Sequence, residues 1–151
     1  MEFSQPSTLG ASFDAQALSD RFNLGPISER YQQGAQFQSA LDPDLPDTIQ
    51  GLLNDVAPDF GRIIVEFVFG DIYARPGLDF KLRVLATLAA VTALNQVFAV
   101  KEYIRFALNV GFSRTEVVEV LMQMSVYAGM GPAMEALMVA KEVFSEADAH
   151  S

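Results

Sequence analysis

The stretch Val84–Val100, VLATLAAVTALNQVFAV, constrains this chain more than any other. It runs for seventeen residues without a charge, with only Thr87, Thr92, Asn95 and Gln96 as polar breaks. A helix apolar on nearly every side has to be wrapped by protein or by lipid. Its charges gather at the ends, in Asp79-Phe80-Lys81-Leu82-Arg83 before it and Lys101-Glu102 after it. A membrane span needs about 20 strongly apolar residues, whereas this run is Ala-rich and carries Asn95-Gln96 inside it. The expected covering is therefore protein. Around Val97–Ala99 the path has to bend or continue into Lys101–Val110.

The flanking chain reads as further helices. Ser28 is placed to cap a helix over Glu29–Leu41, with Tyr31 standing where a capping box would need Glu or Gln. Asp42-Pro43 stops it. Pro46-Asp47 starts a second, and Pro58 opens a third over Asp59–Phe69 that Gly70 ends. Pro76-Gly77 is a turn, Asp79 is the N-cap of the central helix, and Gly111 is a C-cap. Ser113-Arg-Thr-Glu116 forms a capping box whose helix reaches about Ala128; Pro132 begins the last helix, to about Glu146. Half of the residues are hydrophobic, weighted toward Ala, Val, Leu, Phe and Met, which favours helix over sheet. The expectation is one all-α domain over residues 28–151, a helical bundle around the buried central helix. An extended arm over residues 1–27 precedes it, with Phe3, Leu9, Phe13, Leu18 and Phe22 isolated among polar residues.

Charge and composition exclude several function classes. The formal charge is −9, and the first sixty residues set nine acids against only Arg21 and Arg30. No basic patch exists to meet a nucleic-acid backbone or an anionic membrane, so neither is an expected partner. The start, MEFSQPSTLG, has no basic segment followed by an apolar one, so no signal peptide is expected and the location reads as cytoplasmic. With no cysteine and His150 alone in the tail, the chain offers no thiolate ligand, histidine metal site or Ser-His-Asp triad. No cofactor is expected.

A few polar residues remain to carry chemistry. Glu116, Glu119, Gln123 and Tyr127 fall at i, i+3, i+7 and i+11, one stripe of the helix Arg114–Ala128. Either the stripe faces solvent, or Glu119 faces a pocket, where desolvation raises its pKa and suits it to general acid or base work. Arg83 is the last charge before the apolar run and would pair with a carboxylate such as Glu66 or Glu119, directly or around an anionic ligand. Tyr103 would point inward with Ile104, Ala107 and Leu108. Five of the six methionines lie within Met122–Met138, as core packing or as a flexible apolar lining.

Taken together, four ordered segments resemble the carboxymuconolactone decarboxylase family. They are Phe69-Gly-Asp-Ile-Tyr-Ala-Arg-Pro-Gly-Leu-Asp79, Lys81-Leu-Arg83-Val-Leu-Ala, Ala107-Leu-Asn-Val-Gly111, and Thr115-Glu-Val-Val-Glu119-Val-Leu with Val126-Tyr-Ala-Gly129. The resemblance spans about Asp59–Phe144. It implies an AhpD-like all-helical fold, an intimate helical dimer and often a hexamer built as a trimer of dimers. The peroxidase branch of that superfamily places a Glu and a Cys-x-x-Cys-x-x-x-His where this chain has Val84, Gln96, Ala99 and Tyr103. In the decarboxylase branch a histidine usually stands at the place of Tyr103 and often at that of Gln123, while Arg83, Glu119 and Tyr127 match.

Two functions follow from the resemblance. One is a carboxy-lyase acting on a small carboxylated lactone or related acid. There Arg83 holds the anion, Tyr103 or Glu119 moves the proton, and Gln123, Tyr127 and Glu66 contact the substrate. The other is a catalytically silent member that keeps the oligomer as a binding or scaffold module. Neither is a thiol peroxidase. Purified protein given a hydroperoxide and a thiol donor should show no turnover above a protein-free control.

Overall fold

The computed structural model describes residues 15–22, 25–53 and 55–149, and all of their regular structure is helical. The chain packs as two compact units, residues 1–77 and residues 78–151. No described helix is long and apolar enough to cross a membrane.

The first unit holds α1 (Ala15–Phe22), α2 (Glu29–Leu41), α3 (Leu45–Leu53), α4 (Pro58–Ile63) and a π-helical segment, Ile64–Tyr73. Within the expected extended arm α1 forms; residues 1–14 and 23–24 of that arm lie outside the described residues. The Ser28 cap forms as expected, its Oγ accepting from the Tyr31 amide at 3.1 Å. The expected stop at Gly70 does not occur. Helical winding runs through it to Tyr73 with a wider turn, closed by the Ala74 amide donating to the Phe69 carbonyl at 3.1 Å.

Gly70 serves close approach rather than termination. A Cβ there would press on the Arg30 carbonyl of α2, and a Cβ at Gly34 would press on the Val65 carbonyl of the π-helical segment. The two helices thus meet backbone to backbone at reciprocal glycines. Tyr31, Ala35 and Val65 form the core beside this crossing, with Ile27 packed against them. Arg30 and Asp71 join the same pair of helices on the outside through two parallel hydrogen bonds, at 2.8 and 2.6 Å.

Arg62 locks the start of the unit. Its guanidinium donates to the Glu66 carboxylate at 3.1 Å, to Ser19 Oγ and the Gly25 carbonyl at 3.2 Å, and to the Pro26 carbonyl at 2.8 Å. Ser28 Oγ donates to the same Glu66 oxygen at 2.7 Å. Burial pushes the phenol of Tyr31 up from 10.0 to about 12, against the pull of the Arg62 charge and with a small push from Glu66.

The second unit is a four-helix assembly of α5 (Phe80–Ala93), α6 (Val97–Asn109), α7 (Arg114–Tyr127) and α8 (Met130–Ala149). Asp79 caps α5 as expected, accepting from the Lys81 amide at 2.9 Å. The long apolar run is broken earlier than Val97: Leu94–Gln96 separate α5 from α6, with Asn95 in the left-handed region at φ 54. Asparagine is among the few side chains that settle there. Within the unit α5 buries one row, Phe80, Val84, Leu88 and Thr92, spaced four apart. Ile104, Ala107, Val117, Leu121 and Ala140 are the most deeply buried residues of the other helices. Parts of the run are not covered: Leu94 and Phe98 are 69% and 73% exposed, and Leu82 just before it is 49% exposed.

Two measurements check the first unit. Gly34→Ala should destabilise the fold by about 1–3 kcal/mol through overpacking. Gly51→Ala on α3, where a Cβ meets nothing within 4 Å, should stabilise it by up to about 1 kcal/mol. Urea unfolding of both variants reads the difference. For Tyr31 the raised value means the folded chain holds the phenolic proton more tightly than the unfolded one. The stability it contributes is whole below pH 10 and drains away as the pH rises toward about 12. Ultraviolet titration of tyrosinate should show one late phenol that Tyr31→Phe removes.

Candidate functional site

The stripe on α7 is set by its cap. Ser113 Oγ accepts from the Glu116 amide at 3.2 Å, and the Glu116 carboxylate accepts from the Ser113 amide at 2.7 Å. That reciprocal pair is the capping box read from the sequence, and it holds the Glu116 carboxyl below its usual range. It fixes the helix register so that Glu119, Gln123 and Tyr127 stand in one row. All three are exposed, Tyr127 by 75%. Within the described residues of one chain the stripe therefore faces solvent.

Arg83 and Tyr103 are carried by the two helices made from the apolar run. Arg83 sits in the first turns of α5, half-buried, with the Thr87 hydroxyl donating to its carbonyl at 2.9 Å. Tyr103 is half-buried on α6, edge-on to Phe106 with ring centroids 5.3 Å apart. The described ion pairs of this unit tie Lys101 and Arg105 to Glu146, Arg105 to Glu102, and Arg114 to Asp148. These pairs hold the Glu146 and Asp148 carboxyls below their usual range and bind α6 and α7 to the end of α8.

Glu66 belongs to the first unit, where its carboxylate is engaged by Ser28 and Arg62. This local pairing lies one helical turn from Arg62. The i, i+4 spacing of Arg62 and Glu66 was visible in the chain, but the reach of Arg62 to residues 19–26 was not. Among the described residues no three His, Asp or Glu side chains gather to hold a metal ion, and His150 lies outside them.

The methionines are the larger correction. Met122, Met130, Met134 and Met138 are all at least half exposed, so they are not core packing. Four residues of α8 and two of α7 line an open depression of about 260 Å³: Met122, Ser125, Met130, Ala133, Met134 and Leu137. Its only polar side chain is the Ser125 hydroxyl. A carboxylate finds no cation there, so this depression suits apolar groups and not the anionic end of an acid.

Comparison with known proteins bears on the same helices. The model of the carboxymuconolactone decarboxylase family matches residues 58–142, from α4 into α8. A 4-carboxymuconolactone decarboxylase of Acinetobacter baylyi is 30% identical over 120 residues, covering 78% of this chain and 89% of the relative. An uncharacterized 15.0 kDa protein of Paracoccus denitrificans is 29% identical over 124 residues, covering 81% and 92%. A nitrosuccinic acid decarboxylase of Metarhizium robertsii is 30% identical over 85 residues, covering 56% of this chain and 59% of the relative. With the family model spanning every helix that carries Arg83, Tyr103 and Glu119, and a relative of that name aligned over most of both chains, this chain belongs to the carboxymuconolactone decarboxylase family.

Proposed function

We propose that the chain is a carboxy-lyase acting on a small carboxylated lactone or a related acid, working as a dimer-based homo-oligomer in the cytoplasm. What carries the reading is the family match across the helices that bear Arg83, Tyr103 and Glu119, together with its likeness to two proteins named as decarboxylases. Loss of CO₂ breaks a carbon–carbon bond and leaves its electron pair on the former α-carbon. A conjugated lactone carbonyl takes up that pair as an enolate, and a proton must then reach the carbon.

Arg83, a permanent cation, holds the substrate's anionic charge. Tyr103, with its phenolic O–H, is one donor to the carbon; Glu119 is the other. Gln123 and Tyr127, beside Glu119 on α7, offer an amide and a phenol to the lactone oxygens. Glu66, already held by Ser28 and Arg62, serves the structure of its own unit in this scheme. One observation favours the silent alternative: Tyr103 and Gln123 stand where the resemblance places histidines, so no imidazole stands at either place to carry the proton.

A panel of carboxylated lactones assayed for CO₂ release separates the two. On the carboxy-lyase reading the wild type turns over at least one of them. Glu119→Gln and Tyr103→Phe each lose about 100-fold or more, between them identifying the donor. Because Glu119 is exposed, its variant should melt within about 0.5 kcal/mol of wild type. Absence of turnover across the panel would leave the silent binding module as the function.

A further inference from the structure

Thioether sulfur is the only sulfur in this chain, which has six methionines and no cysteine. Three of the six open on one hollow. Met122 of α7 and Met130 and Met134 of α8 line the depression of about 260 Å³, and they are 50%, 74% and 64% exposed. Met130 and Met134 stand four residues apart, which sets their Cβ atoms about 5–6 Å apart on one face of α8. Met122 reaches the same hollow from the other helix. Met138, one turn further along α8, does not line it.

These donors are of one chemical kind. A thioether is a neutral, polarisable sulfur on a side chain with three rotatable bonds, so several can swing onto one point. Soft sulfur donors of this type select copper(I). Zinc takes thiolate, imidazole or carboxylate, and calcium and magnesium take oxygen. The other lining residues, Ser125, Ala133 and Leu137, offer such ions a single hydroxyl. A monovalent ion also suits a neutral donor set, because it has less charge to strip of water.

The surroundings favour a cation. No basic residue lies between Arg114 and Lys141, whereas Glu116, Glu119 and Glu135 do. Glu119 stands one turn before Met122, and Glu135 follows Met134; both are exposed. At the turn the carbonyl end of α7 meets the amide end of α8, so the two helix dipoles oppose one another there.

We propose that the hollow is a binding site for a soft monovalent cation, copper(I), held by the sulfur atoms of Met122, Met130 and Met134. The ion enters and leaves in one oxidation state, so the site needs no electron donor. It is independent of the carboxy-lyase reading, which gives these sulfurs no part.

Calorimetric titration with silver nitrate in chloride-free buffer, a soft monovalent probe without redox chemistry, should give about one bound ion per chain. Copper(I), supplied anaerobically as its acetonitrile complex, should be drawn from a coloured copper(I) chelator to the same ratio. Zinc should not displace the silver. Met134→Leu and Met122→Leu conserve volume and should each weaken silver binding about tenfold or more, with unchanged helical circular dichroism. Met138→Leu should stay within about twofold of wild type. On the unmodified protein, X-ray absorption at the copper edge should show sulfur neighbours, and this reading decides the matter should a variant fail to fold. Absence of silver binding, wild-type affinity in Met134→Leu or Met122→Leu, displacement by zinc, or copper neighbours of nitrogen and oxygen alone would each overturn the site. A loss in Met138→Leu equal to that in Met134→Leu would overturn its placement in the hollow.

Discussion

Apolar surface in excess of what one chain folds inward is the constraint on which the second unit depends. The row Phe80, Val84, Leu88 and Thr92 commits a single side of α5 to the interior. Leu94 and Phe98 on the same run, and Leu82 just before it, stay open, as do Met122, Met130, Met134 and Met138. Each large apolar side chain left in water forgoes about 1.5–3 kcal/mol that burial would return. Against that, the polar links of the unit are surface ion pairs, individually worth little. They orient the ends of the helices; the buried rows hold them together.

The first unit solves a different problem. Reciprocal glycines let α2 and the π-helical segment approach until side chains no longer separate them. A π-helical turn is rare and is found mostly where function or packing demands it; here it places Glu66 beside Arg62 and Ser28. One guanidinium then gathers residues 19, 25, 26 and 66. The polar cluster clasps the start of the unit through these bonds.

What could be read from the sequence was mostly local chemistry. Ser28, Asp79, Ser113 with Glu116, and Gly111 each act through atoms two to five residues away, so their caps follow from residue type and spacing alone. The family match over residues 58–142 lies close to the span suggested by the four motifs. Gly70 was misread because a glycine that allows close approach looks the same in sequence as one that ends a helix. The exposure of the methionines and of the Glu119 row was hidden for a related reason. Periodicity shows which residues share a face, but not whether the chain itself provides something to cover it.

The left-handed residue at Asn95 has a consequence for length. Read as one rod, the uncharged run with its flanking turns would approach the thickness of a bilayer's hydrocarbon core, about 30 Å. Split at Asn95, it becomes helices of 14 and 13 residues, about 21 and 20 Å long at 1.5 Å per residue. Neither piece reaches across. A single asparagine that accepts a conformation most side chains avoid therefore turns a segment of near-spanning composition into two short struts folded against each other.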